Sequence, residues 1–254
     1  MAWFKTFFCQ AKVLAAASMR ARYRKTIAGF FWVVSFPIAS LSAQALVFGK
    51  FLNIRVENYF LFLIAGLIPW IFVVQTIEMC TPIFVNSGPL LKSISISPLV
   101  YLSAQFLDNA ANFLAGFLLI LAAYLIFFGQ LPLIALLLPL PMISLAMGVF
   151  GISLLLATVQ VFYRDTRFVI AFVLQMAYYL TPIFYPIKFV PEGLRGMIAL
   201  NPLYHLVLPF QMLLTGTLSD FMGAMLQALV AGTILLVAGV GLWRASRNSV
   251  YLYV

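Results

Sequence analysis

Residues 168–187 are twenty in a row without a charge, and the turn before them, Tyr163-Arg164-Asp165-Thr166-Arg167, carries three. A helix of that length crosses the hydrocarbon core of a bilayer. Its far end reads Tyr178-Tyr179-Leu180-Thr181-Pro182-Ile183-Phe184-Tyr185-Pro186, prolines among rings that suit the border between lipid and water. One span with a charged side and an aromatic side follows, and the rest of the chain has to be organised around a membrane. Its texture agrees: 65% of the 254 residues are hydrophobic and 8% charged, with a mean hydropathy of +1.10. A soluble domain has to keep its surface wet and cannot bury such a fraction.

The expected fold class is all-α, a polytopic membrane protein with six transmembrane helices in a single domain over 1–254. The spans fall at 28–49, 59–85, 99–129, 132–162, 168–187 and 221–243. Pro139 and Pro141 are expected to kink or tilt the fourth. Ahead of the first, Phe4, Phe7, Phe8, Ala11, Leu14, Ala15 and Met19 recur at helical spacing beside a stripe of Lys5, Lys12 and Arg20. That is the pattern of an amphipathic helix lying in the membrane surface, a cytosolic interface helix over 1–25. Ala43-Gln44-Ala45 looks like a leader-cleavage site, but the apolar run continues to Phe48 and five spans follow, so the first helix is read as uncleaved.

Between the fifth and sixth spans, residues 188–220 hold two short apolar pieces, 191–200 and 203–214, each about half the length a span needs. Pro191 suits a first turn, while Asn201-Pro202 and Thr215-Gly216 are stops. An external re-entrant helical hairpin is expected. Residues 86–98 form a polar, serine-rich loop.

Charge sets the orientation. With the N-terminus inside, the cytosolic segments hold Lys5, Lys12, Arg20, Arg22, Arg24, Lys25, Lys92, Arg164, Arg167, Arg244 and Arg247, against Lys50, Arg55, Lys188 and Arg195 outside. Both termini are expected in the cytosol. The net charge of +9 therefore sits at span ends rather than on a nucleic-acid surface. Cys9 and Cys80 are too far apart in sequence for a metal motif, and no metal site or cofactor is expected in this chain. Nor is there a phosphate-cradling Gly-x-x-x-x-Gly-Lys-Ser/Thr loop. Work driven by nucleotide would need a partner docked on the interface helix, the 86–98 loop or the 163–167 turn.

Three motifs, Val161-Phe162-Tyr163-Arg164-Asp165, Thr181-Pro182-Ile183-Phe184-Tyr185 and Asn201-Pro202-Leu203-Tyr204, carry a resemblance, joined near the start by Arg22-Tyr23-Arg24-Lys25-Thr26 and Gly29-Phe30-Phe31-Trp32. In order and spacing, over effectively the whole chain, the sequence resembles the membrane subunit of ABC-2 type exporters of O-antigen, capsule, teichoic acid and similar polymers. The resemblance implies a permease of the bacterial inner membrane with no enzymatic activity of its own. It also implies a homodimer meeting through spans one and five, and a substrate polysaccharide attached to a lipid carrier. A separate ATPase subunit, holding ATP and Mg, is implied to grip the interface helix and the loop between spans two and three.

Candidate residues follow. Lys5, Lys12, Pro89, Lys92, Ser93, Arg164 and Asp165 are candidates for ATPase coupling, with Asp165 also expected to cap the fifth span; plain topology marking is the alternative for the Arg164-Asp165 pair. Arg20, Arg22, Arg24 and Lys25 are candidates for a lipid pyrophosphate or for anchoring to anionic headgroups. Trp32, Tyr59, Trp70, Tyr178, Tyr179, Phe184 and Tyr185 are candidates for a substrate path, since sugar faces stack on rings without a fixed register; an interfacial belt is the alternative. Glu78 and Asp108, the acids within spans, fit structural pairing or an ion-coupled carrier or glycolipid enzyme. His205 is expected to hydrogen-bond within the outer hairpin.

Overall fold

A computed structural model describes residues 2–23, 39, 42–44, 46–47, 59–88, 96–128, 136–216 and 219–253. Among these residues the architecture is all-helical, without strands. In chain order the helices are α1 (Ala2–Tyr23), α2 (Tyr59–Cys80), the single turn α3 (Ile83–Asn86), α4 (Pro98–Phe128), α5 (Pro139–Phe162), α6 (Thr166–Leu180), α7 (Glu192–Ala199), α8 (Pro202–Thr215) and α9 (Phe221–Tyr253).

Several boundaries differ from expectation, each for a local reason. The second span is expected over 59–85, but α2 stops at Cys80 because Pro82 has no N–H for the helical ladder. Thr81 ends the turn by donating both its N–H and its hydroxyl to Ile77 O, at 2.9 and 2.6 Å. Pro139 and Pro141 do not kink the fourth span: they occupy the first turn of α5, where a missing N–H costs nothing. Within 168–187 the helix ends at Leu180, since Thr181 precedes a proline and is held extended at φ −91°, ψ 130°. The helix α9 does not stop at Trp243 but runs on to Tyr253, beyond Arg244 and Arg247.

The helices alternate in direction. One cluster gathers Cys80 and Phe84 from the end of α2 and from α3, Leu102 from the start of α4, Leu154 to Val161 from the end of α5, and Trp243 and Val250 from α9. That end also holds the 163–167 turn, where the Phe162 ring meets the Tyr253 ring at 5.6 Å. The opposite end joins the start of α2 to the chain after α6. Between the ends lies the main core, with phenylalanine rings from α2, α4 and α8 in contact: Phe72 to Phe113 at 4.8 Å, Phe113 to Phe117 at 5.7 Å, Phe117 to Phe210 at 5.8 Å.

The helices α5 and α9 run parallel and make the most extensive contact in the molecule. Glycine permits it. A Cβ on Gly151 would collide with the backbone of Leu235 and Leu236, one on Gly239 with the Gly151 carbonyl, and one on Gly232 would lie 2.6 Å from Ser144 O. With no hydrophobic drive between helices in lipid, such backbone contact is how they cohere. The other face of α9 exposes Met222, Leu226, Val230, Ile234 and Val237, spaced for one stripe. By length and apolarity α2, α5 and α9 can each cross a membrane; α7 and α8, bent by 101° at their junction, make a further broken pair. At the other extreme of the chain, α1 packs on α4, with Ala11 and Ala15 buried one turn apart.

Candidate functional site

The chain folds back on itself after Leu180, and this brings the predicted aromatic residues together. Tyr178 lies 5.2 Å from Tyr179, 5.4 Å from Phe184 and 6.1 Å from Trp70, centroid to centroid, and Phe184 lies 5.0 Å from Tyr185. Tyr59 joins through its hydroxyl, which donates to Phe184 O at 2.7 Å. Tyr185 OH donates to Tyr179 O at 3.0 Å, and Gln44 Nε2 donates to Tyr178 OH. Trp70 and Phe184 are buried, Tyr59, Tyr178 and Tyr185 half-buried, and Tyr179 exposed. The cluster is thus a fixed base of two buried rings carrying tyrosines. The hydroxyls of Tyr59 and Tyr185 are spent on backbone carbonyls and that of Tyr178 accepts from Gln44, so what the cluster presents outward is ring face, Tyr179's above all. Trp32, the seventh predicted member, lies outside the described residues.

Residues 181–184 have no helix to satisfy their backbone, and they are buried. In a membrane such a stretch survives only where protein supplies the partners. Gln211 Nε2, from the middle of α8, donates to Pro182 O and Ile183 O, both at 3.1 Å. Asn201 caps α8 by accepting from Leu203 N–H at 3.0 Å and donates its Nδ2 to Thr181 Oγ1 at 2.9 Å. Gly66 leaves the room: a Cβ there would stand 2.7 Å from Gln211 Nε2 and 2.8 Å from Ile183 O. Gln211 went unnoticed in the sequence, although a lone amide inside an apolar helix is itself the signal. His205 meets its expectation, with Nε2 2.7 Å from Ala199 O at the α7–α8 bend.

At the other end of α6, Arg164 and Asp165 are exposed. Asp165 does not cap α6 with its side chain. Its own backbone is already helical, at φ −77°, ψ −11°, rather than in the extended conformation that aims a capping side chain at the next N–H groups. The cap comes instead from Gln160 of α5, another residue the sequence reading passed over. Its Oε1 accepts from Arg167 N–H at 2.8 Å, while its Nε2 donates to Arg164 O at 2.8 Å. Thr166 Oγ1 donates to Tyr163 O at 2.7 Å, and the Arg167 guanidinium lies 4.4 Å above the Phe168 ring.

The ABC-2 type transporter family matches residues 10–215. The chain belongs to that family. The matched stretch runs from α1 to the last residue of α8, so both ends of α6 lie inside it. Among its relatives, this ABC-2 protein is 24% identical over 234 residues to the O-antigen export system permease protein RfbA of Klebsiella pneumoniae, covering 91% of this chain and 89% of the relative. It is 27% identical over 202 residues to the protein of the same name from Myxococcus xanthus, covering 78% and 77%. ABC-2 chains are membrane transport subunits that work with an ATP-binding subunit, and this one is a multi-pass membrane protein.

The other predicted residues of this ABC-2 chain fall as follows. Lys12 and Arg20 are exposed on α1. Lys5 and Arg22 lie on the same helix, their side chains outside the described residues, as are Arg24, Lys25, Pro89, Lys92 and Ser93 altogether. Glu78 is exposed near the end of α2, whereas Asp108 is fully buried on α4 beside Asn109. Among the described residues no group of three His, Cys, Asp or Glu side chains stands ready for a metal.

Proposed function

We propose that this chain is the permease subunit of an ATP-driven exporter that carries a lipid-linked polysaccharide, an O-antigen or related glycopolymer, outward across the bacterial inner membrane. The observation that carries the reading is the near-complete alignment with permeases named for O-antigen export. The fold gives it support. Alternating helices α2, α4, α5, α6 and α9, with the apolar run 28–49 ahead of them, are consistent with six spans, and the positive charges at the span ends favour both termini in the cytosol. The helix α6 has 15 residues, about 22 Å at 1.5 Å each, and residues 181–186 complete its crossing under cover of α2 and α8. The pair α7–α8 re-enters from the outside. A second copy sits against span one and the apolar face of α6, where Phe168, Val169 and Phe172 are exposed.

The residues divide the work by depth. Arg20, Arg22, Arg24 and Lys25 hold the pyrophosphate of the lipid carrier at the cytosolic surface. Lys5, Lys12, Pro89, Lys92 and Ser93, with Arg164 and Asp165, meet the ATPase subunit, which holds ATP and Mg. Closing of the ATPase pair shifts α1 and the 86–98 loop and opens a path between protomers. The polymer passes over Trp32, Tyr59, Trp70 and the cluster at Tyr178, Tyr179, Phe184 and Tyr185, sliding because ring stacking sets no register. The rival use of Glu78 and Asp108 in an ion-coupled carrier or glycolipid enzyme is not favoured by these relatives.

The test is deletion of the gene with that of its ATPase left intact. Surface polymer is expected to vanish and to return on complementation, while a Lys92→Glu chain assembles poorly with the ATPase and restores little. Undiminished surface polymer in the deletion strain refutes the assignment; normal assembly and export by Lys92→Glu removes that loop from coupling.

A further inference from the structure

The helix α6 is held by its ends. Of its fifteen residues only Leu174 is buried, while Phe168, Val169, Phe172, Val173, Met176, Tyr179 and Leu180 are exposed. Each end, by contrast, is gripped by an almost fully buried amide from a neighbouring helix, Gln160 of α5 and Gln211 of α8, each 3% exposed. A buried amide is costly unless bonded, and both are bonded to backbone just outside the α6 ladder. Gln160 takes Arg164 O and Arg167 N–H at the start, and Gln211 takes Pro182 O and Ile183 O at the finish. The grips fix the path of the chain and leave the outward side chains Arg164, Asp165 and Tyr179 free of the clamp. Neither is a helix-to-helix packing contact of the usual kind, since both act on backbone at the two ends of α6 rather than along its side.

We propose that Gln160 and Gln211 are positioning residues that make α6 a rod coupling the 163–167 turn to the aromatic cluster about 22 Å away. The proposal rests on the transporter reading. Within its own protomer α6 buries only Leu174, so a displacement of the turn moves the rod as a body, together with the partner face seated on it, into Tyr178 and Tyr179, and through the Gln211 grip it drags residues 181–185 and α8 with it. ATP-driven closure at one face is thereby felt by the rings at the other without a continuous side-chain relay between them. The same geometry read as a purely structural device makes a different forecast: loss of a clamp then lowers stability and all activities together.

Two measurements separate these. The first leaves both clamps intact: Trp3, Trp32 and Trp243 are replaced by Phe and the chain is assembled with a tryptophan-free form of its ATPase, so that Trp70, 6.1 Å from Tyr178, is the sole reporter. Binding of a non-hydrolysable ATP analogue is expected to shift Trp70 emission; an unchanged spectrum overturns the proposal. The second compares Gln160→Leu and Gln211→Leu for polymer exported per ATP hydrolysed. Export is expected to fall about tenfold while hydrolysis stays within about twofold, a loss inside the usual range of site-to-site coupling. Export and hydrolysis falling in proportion, or neither falling, overturns it. If the unaltered chain with its ATPase exports nothing, the transporter reading itself has failed, a result distinct from either.

Discussion

Phe184 and Tyr179 have ring centroids 6.3 Å apart, yet one is 5% exposed and the other 58%. Truncating Phe184 empties a site already enclosed by Tyr59, Tyr178 and Tyr185, so Phe184→Ala is expected to cost about 3–5 kcal/mol of stability. Tyr179→Ala removes a mostly exposed ring whose edge contacts with Tyr178 and Phe184 are worth about 0.5–1.5 kcal/mol, well short of the loss at Phe184. Its effect reaches export as well: losing one stacking surface worth about 0.5–1.5 kcal/mol slows transport severalfold. Thermal unfolding of the purified chain and polymer export in cells read the two separately, and a matching loss of stability in both variants would remove Tyr179 from the path. The rings were legible in the sequence because aromatics flanking Pro182 and Pro186 mark an interface whatever they touch. Gln160 and Gln211 stand out in the sequence only as amides inside apolar helices, and what each holds depends on backbone partners that the sequence does not bring together.

Among the elements, α5 and α9 show what glycine does where two backbones touch. A methyl at Gly151 has no side chain to push aside, only the Leu235 carbonyl, so Gly151→Ala is expected to cost at least the 1–3 kcal/mol typical of overpacking, about the upper part of that range. Gly223 on the same α9 has nothing within 4 Å of the added methyl, and Gly223→Ala should leave the melting temperature level or slightly raised, since alanine is the better helix former. Thermal denaturation of both variants decides it; equal behaviour would mean the helices are not in backbone contact. Helix ends were readable at Asn201 and Gly216, the latter adopting φ +74°, but two starts were not: Pro139 is expected to kink the fourth span and Pro202 reads with Asn201 as a stop, whereas each opens a helix. The end of α9 was not readable either, because the arginines at 244 and 247 mark where hydrocarbon stops, and a helix has no reason to stop there: no proline or glycine follows Gly241.

At the scale of the whole molecule, the bent pair α7–α8 decides the number of crossings, since it has the combined length of a span. Direction argues for re-entry, as proposed above. The helix α6 leaves the 163–167 turn and finishes at the aromatic cluster. The helix α9 finishes back at the turn, with Tyr253 against Phe162 and Trp243 against Phe84 at 5.1 Å. A 33-residue helix is about 50 Å long, so α9 begins at the far end, where α6 stopped. On the proposed topology everything between them leaves from and returns to one side, whereas a crossing pair would separate Tyr253 from the face that holds the 163–167 turn. In a background with Cys9→Ser and Cys80→Ala, Glu192→Cys at the start of α7 should react with a membrane-impermeant maleimide from outside. Arg247→Cys, on the last turns of α9, should react only once the cytosolic face is opened. Labelling of Arg247→Cys on sealed cells would make α7–α8 a true span and place the C-terminus outside. The positive charges at 164, 167, 244 and 247 argue for the first result, because they would then share the cytosolic face.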